Sequence, residues 1–142
     1  MLISKKPAVQ IEYNPEKRRL YVEWTGYANS AVFRETLDRI TEFARNNIVY
    51  SVLGNNLKQE VISKEDAEYS VSKSDELKNS EVQVLAIVIP ENIFPQMIMD
   101  IIQEKSDPDF VKFFHTEAEA EQWLNQHVYV YSYPGQAKTW IQ

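Results

Sequence analysis

VYSVLGNNLKQEVISKED, residues 49–66, decides how this chain is read. Residues 48–53 form a short apolar run of strand length, residues 54–62 are a mostly polar turn, and Ser63 opens a helix. Strand, loop and helix in that order make the repeating unit of an α/β domain. In such domains the loop leaving the carboxyl end of a strand usually carries function. This loop holds no glycine-rich cradle, no cysteine or histidine and no cluster of metal ligands. It offers a serine at a helix start instead, and Ser63-Lys64-Glu65-Asp66 reads as a capping box with Asp66 in place of Glu or Gln.

Towards the N-terminus the period changes. Val9, Ile11 and Tyr13 alternate with Gln10, Glu12 and Asn14, and Leu20, Val22 and Trp24 alternate with Tyr21, Glu23 and Thr25. Both are period-2 patterns of half-buried strands. Asn14-Pro15-Glu16-Lys17 between them is turn chemistry, because proline presets φ and Asn14 can bond nearby backbone. An N-terminal antiparallel hairpin is expected. Lys17-Arg18-Arg19 reads as solvated charge on its turn. Phe33, Leu37, Ile40 and Ala44 then fall on one helical face, capped by Asn29 or Ser30 and ended by Asn46-Asn47.

Towards the C-terminus a weakly amphipathic helix should bury Ala67, Val71 and Leu77, with Tyr69 flanking. Residues 82–89 are almost all apolar and rich in β-branched side chains, the mark of a central strand covered on both faces. Phe94, Met97, Ile98, Ile101 and Ile102 predict a third helix, with Pro95 in its first turn. Residues 110–114 form a last strand. Thr116-Glu117-Ala118-Glu119 caps a final helix carrying Ala120, Trp123 and Leu124. The order β-β-α-β-α-β-α-β-α implies right-handed crossovers and one α/β domain over residues 8–126, with a mixed four- to five-stranded sheet. Residues 127–142 are an aromatic extension.

Composition removes several classes. A chain of 142 residues has room for one core. Its net charge of −6 argues against nucleic acid, which needs clustered Lys and Arg. Without cysteine there is no disulfide, zinc–thiolate site or thiol catalysis. Residues 1–6 have no apolar core of a secretory signal, and no apolar run reaches the ~20 residues that span a bilayer. A cytoplasmic protein without a membrane span is expected.

Few residues suggest chemistry. His115 ends a strand and His127 ends a helix, and neither has a partner at a metal-ligand spacing. Asp107 and Asp109 flank Pro108 as a turn would, and two carboxylates fall short of an oxygen cage for calcium. Glu117, Glu119 and Glu121 suit the positive end of a helix. No nucleophile, base and orienting group come together, so no enzyme, metal or cofactor is expected. Ser63 is a cap, and also a candidate phosphoacceptor, because a phosphate would gain from the same helix N–H groups. In the extension Tyr129, Tyr131, Tyr133 and Trp140 are either the interface of a homodimer or part of an arm folded on its own domain.

Three segments carry a family resemblance: LYVEWTG at 20–26, VISKED at 61–66, and AIVIP at 86–90 followed by AEQWL at 120–124. Over residues 10–124 the chain resembles the STAS-like, SpoIIAA-like bacterial domains related to anti-sigma-factor antagonists. The resemblance implies a sheet with helices mainly on one face, and a non-enzymatic protein-interaction or regulatory role. Antagonist members carry Asp-Ser or Ser-Ser-Gly at the start of the second helix, where this chain has Ile62-Ser63-Lys64. By the same resemblance, the family's acidic residue at the end of the preceding strand would fall near Gly54. The implied binding surface is the loop with Asn55, Asn56, Lys58, Ser63 and Asp66. The alternative is a small apolar or lipid ligand held near Met97 and Met99.

Overall fold

A strand that is apolar on both faces needs a covering layer on each side, and the architecture follows from that need. The computed structural model describes residues 1–60, 62–91, 94–130 and 139–140. Its elements are β1 (Leu2–Lys6), β2 (Val9–Asn14), β3 (Arg19–Trp24), α1 (Ser30–Asn46), β4 (Ser51–Asn55), α2 (Lys64–Leu77), β5 (Val84–Val88), α3 (Gln96–Lys105), β6 (Val111–Phe114) and α4 (Glu117–His127). The short strands β7 (Tyr129–Val130) and β8 (Thr139–Trp140) follow.

Strands β1 to β6 form one sheet in sequence order. Pairing is antiparallel from β1 to β3 and parallel from β3 to β6. The sheet therefore has six strands, one more than the largest number expected from sequence. The addition is β1, which precedes residue 8 and shows no apolar alternation. It is an edge strand that buries little side-chain surface and is held by backbone pairing, with Lys5 and Lys6 on it.

Alternation along the strands divides the core. Leu20, Val22, Val52, Leu85 and Val111 lie under the layer made by α1, α2 and α3. Leu53, Val84, Ala86 and Val88 face the other way and are covered by Ala120 and Leu124 of α4. On α1 the buried residues include Phe33, Ile40 and Ala44, and on α2 Ala67, Val71 and Leu77, as their periodicity predicts. Helix α3 departs from expectation. Pro95 is its N-cap instead of lying in the first turn, Phe94 precedes it, and Met97 points outwards at 56% exposure.

The basic triplet is also corrected. The turn itself forms as read, with Asn14 Oδ1 accepting from the Glu16 and Lys17 amides. Arg19, however, is buried with 3% of its surface exposed. Its Nε donates to Ser51 Oγ at 2.9 Å, Nη1 to Glu121 Oε2 at 2.7 Å and Nη2 to Asn125 Oδ1 at 3.2 Å. The guanidinium ties β3 and β4 to α4. Burial pulls its pKa down and the Glu121 carboxylate opposes that shift.

The start of the C-terminal extension docks on its own domain. Val128 is fully buried beside Leu124. The Gln83 side chain grips the Tyr129 backbone, donating to its carbonyl at 2.6 Å and accepting from its amide at 2.8 Å. The Tyr129 and Trp140 backbones pair across β7 and β8. Tyr131 and Tyr133 lie outside the described residues, so the proposed aromatic interface is not described.

The Arg19 anchor makes a specific expectation. Glu121→Ala removes the charged acceptor of a buried guanidinium and should cost about 1–3 kcal/mol in urea unfolding. A change within error would show that α4 is held by its apolar face alone.

Candidate functional site

The parallel strands β3 to β6 all release their loops at one end of the sheet, so side chains from distant sequence meet there. The loop after β4 is at the centre of that row. Consecutive strand residues point to opposite faces, which sends Asn55 towards α4 and Gly54 and Asn56 towards α1–α3.

Asn55 is buried. Its Oδ1 accepts the Leu57 amide at 3.1 Å, an Asx-type turn that bends the chain out of the strand. Its Nδ2 donates to Glu117 Oε2 at 3.1 Å and to the Tyr21 hydroxyl at 3.3 Å, and that hydroxyl donates to Glu117 Oε2 at 3.2 Å. Tyr21 is pushed up to about 12. Burial is the main cause; the Glu117 and Glu23 carboxylates add to it and the Asn55 amide opposes it. A phenol so shifted is a fixed donor at neutral pH, unsuited to general acid–base catalysis there.

Asn56 is half-buried and spends its polar groups within the loop. Its amide donates to the Val88 carbonyl at 2.8 Å, and its Nδ2 donates to Gln59 Oε1 at 2.8 Å. The Gln59 amide donates back to the Asn56 carbonyl at 3.2 Å, and the Glu60 amide reaches the Gly26 carbonyl at 3.4 Å. A Cβ at Gly54 would stand 3.2 Å from Asn56 Oδ1, so a larger residue there displaces the Asn56 amide. Leu57 and Lys58 are left exposed at the tip.

Ser63 is exposed and caps α2, its Oγ accepting the Asp66 amide at 3.1 Å. Only this forward half of the expected capping box forms. The Asp66 carboxylate is buried and accepts from Ser30 Oγ at 2.7 Å and Arg34 Nε at 2.9 Å. It clips α2 to the start of α1. Arg34 in turn lies 4.5 Å over the Tyr69 ring, and the Tyr69 hydroxyl donates to Asp38 Oδ1.

The five loop residues singled out from sequence are therefore not one surface. Lys58 and Ser63 are exposed, Asn56 is half-buried, and Asn55 and Asp66 are buried on opposite sides of the sheet. Sequence reasoning missed Tyr27 and Leu57 and placed Met97 on an apolar helix face or beside a ligand; all three are exposed apolar residues at this end of the sheet. Leu57 had a signal, as a lone leucine within a polar turn. Gln59 was missed as well. It is buried in a loop, and its Nε2 is the one buried side-chain polar atom among the described residues without a hydrogen-bond partner.

Between the sheet and α1–α3 lies a cavity of about 110 Å³, walled mostly by aliphatic and aromatic side chains and touched by Gln59. Met97 and Met99, the residues that suggested an apolar ligand, do not line it; Met99 lines a separate open cleft with His115.

The other polar candidates have structural partners. His115 Nδ1 donates to the Ile89 carbonyl at 3.0 Å and His127 Nδ1 to the Trp123 carbonyl at 2.8 Å. Asp107 Oδ1 accepts the Asp109 amide at 2.9 Å, and Oδ2 pairs with Lys78 at 2.9 Å. Glu119 accepts from the Thr116 hydroxyl at 2.9 Å, and Glu121 from Arg19. Among the described residues no group of three or more His, Cys, Asp or Glu side chains is placed to hold a metal ion. Among them, too, no helix is long and apolar enough to cross a membrane.

No protein-family model matches the chain, and no curated protein matches it. Among solved structures it is similar to the crystal structure of an uncharacterized protein from the DUF3478 family, with a SpoIIAA-like fold, from Shewanella loihica PV-4. The two share 19% identity, with a TM-score of 0.55, over 86% of this chain and 98% of that one. At that identity the likeness establishes the fold, and the fold is SpoIIAA-like.

The Tyr21 environment can be read by titration. Absorbance of tyrosinate should include a component near pH 12 that disappears in Tyr21→Phe. Because the folded state holds that proton more tightly than the unfolded chain, this contribution to stability is complete below pH ~10. It is lost as pH rises towards 12, so the stability of Tyr21→Phe should fall less steeply across that window. Identical slopes would remove the Tyr21–Asn55–Glu117 network from the account.

Proposed function

We propose that this SpoIIAA-like domain is a non-enzymatic, cytoplasmic binding module that engages a protein partner at the carboxyl end of its parallel strands, through loop 54–66 and the start of α2. The observation that carries the reading is the exposure of Tyr27, Leu57 and Met97 at that end, at 65%, 38% and 56%. These side chains come from three different loops or helix starts. Two of the loops are joined by the Glu60–Gly26 hydrogen bond, and the loop after β4 is bonded to β5 through Asn56 and Val88. Asn55 and Asn56 are occupied in holding the shape of the central loop, so its tip is presented by a preorganised backbone. Preorganisation lowers the entropic cost of association. The commitment of Glu117, Asp66 and His115 to structural bonds favours binding over catalysis.

Ser63 adds a subsidiary proposal. Its hydroxyl is exposed at the N-terminus of α2, where a phosphoryl group would meet unpaired N–H groups. Glu65 and Asp66 are the negative charges in the same turn. Added charge there would alter the rim of the docking surface, by attraction or repulsion according to the partner.

Pull-down of partners with the full chain and with Leu57→Asp and Tyr27→Ser tests the docking surface. Each substitution should weaken capture about tenfold or more. Ile48→Ser, which removes an exposed apolar side chain ahead of β4 at the opposite end, should leave it intact. Equal capture by all four proteins would reject the surface.

Ser63→Ala and Ser63→Asp test the switch separately. The alanine variant should lose about 1 kcal/mol of stability with the cap while the aspartate variant keeps it, and the two should differ in partner capture. Equal capture would eliminate the switch and leave the docking surface standing.

A further inference from the structure

Side chains in a folded core pack with few voids larger than a water molecule, so a cavity of about 110 Å³ between the sheet and α1–α3 calls for an occupant or a reason. Its wall includes Val52, Leu85 and Ile87 of the sheet, Ile40 of α1, Val71 of α2 and Ile102 of α3. Three hydroxyls on that wall are already used: Thr41 donates to the Asp38 carbonyl, Ser70 to Ala67 and Ser74 to Val71, each within its own helix, while Ser106 lines the wall as well. Lys73 reaches the wall, but its ammonium group pairs with Asp38 at 3.0 Å and Glu76 at 2.7 Å.

Gln59 is different. It is 6% exposed and lines the cavity. Its Oε1 accepts from Asn56, which fixes the amide orientation and leaves Nε2, a donor, without a partner among the described residues. A buried donor left unpaired is costly, and native structures rarely tolerate one without a use. A single water would fill only a small part of the space, since about 10–15 Å³ is enough to hold one. An anion is disfavoured, since among the described residues the cation on the wall, Lys73, is already paired and cannot offset its desolvation.

We propose that this cavity is a binding site for a small, uncharged, mainly apolar molecule that carries one hydrogen-bond-accepting oxygen, received by Gln59 Nε2. The chemical class is that of a short-chain ketone, ester or ether. Size follows from volume: an apolar cavity of about 150 Å³ takes benzene, so this one, at about 110 Å³, takes roughly four to five non-hydrogen atoms. The apolar body packs on the β4, β5 and α2 side chains and the oxygen faces Gln59. Gln59 belongs to the same turn as Leu57, yet the site stands independently of any partner docking there.

The probe is 2-butanone, with 2-methyl-1-butene as a matched apolar molecule that lacks the acceptor. Each is titrated into full-length protein labelled for methyl and side-chain amide NMR. With 2-butanone the Val52, Leu85 and Val71 methyl signals and the Gln59 side-chain amide should shift saturably. In Gln59→Leu the affinity for 2-butanone should fall about tenfold, the loss of one neutral hydrogen bond, while that for 2-methyl-1-butene changes less than about twofold. Val71→Phe, which fills the cavity, should abolish both. The absence of saturable cavity shifts in the unmodified protein up to about 10 mM probe would overturn the site. Unchanged 2-butanone affinity in Gln59→Leu would overturn the role of Gln59, and that arm needs no cavity-filling variant to fold.

Discussion

The buried guanidinium of Arg19 is the contact on which the second face of the sheet depends. Strands β4 and β5 are apolar on both sides, and α1, α2 and α3 cover only one of them. Helix α4 must close the other with a short apolar stripe, chiefly Ala120 and Leu124. A stripe that small buries area but specifies little about where the helix sits. Arg19 supplies the specification, because its planar fork reaches Ser51 on the neighbouring strand and Glu121 and Asn125 on the helix at once. With α4 so placed, Glu117 falls over Tyr21 and Asn55, and the chain leaves the helix with Val128 already in the core.

The same division into two faces shapes the functional end. Asn55 and Asn56 are adjacent in sequence, yet one joins the α4 network and the other supports the turn over the α1–α3 layer. The loop is thereby pinned on both sides of the sheet, which leaves Leu57 and Lys58 as its outward residues. Gly54 contributes by absence, since a Cβ would crowd Asn56. The loop of this chain is built around an amide pair, Asn56 and Gln59.

Much of the fold was legible in the sequence because periodicity records burial directly. The hairpin, the double-sided β5 and the inward faces of α1, α2 and α4 follow from apolar spacing alone. Strand β1 was not legible, since an edge strand held by backbone hydrogen bonds leaves no pattern in its side chains. Arg19 was misread for a related reason. A charge beside two other charges reads as solvated unless its partners, here about a hundred residues away in sequence, are known to face it. Asp66 looked like the return half of a capping box, but Arg34 and Ser30 compete for the same carboxylate across the helix interface.

The sequence by itself determined the α/β class, the order of elements from β2 to α4, and the position of the loop between β4 and α2. These are consequences of local propensity and spacing, which act over a few residues. Only the tertiary structure decided which loop residues point outwards, that Tyr27, Leu57 and Met97 share one end of the sheet, and that Gln59 borders a cavity with a donor unpaired. Those outcomes depend on strand pairing and on the packing of helices against two faces. They bring together groups whose separation in sequence carries no record of their contact.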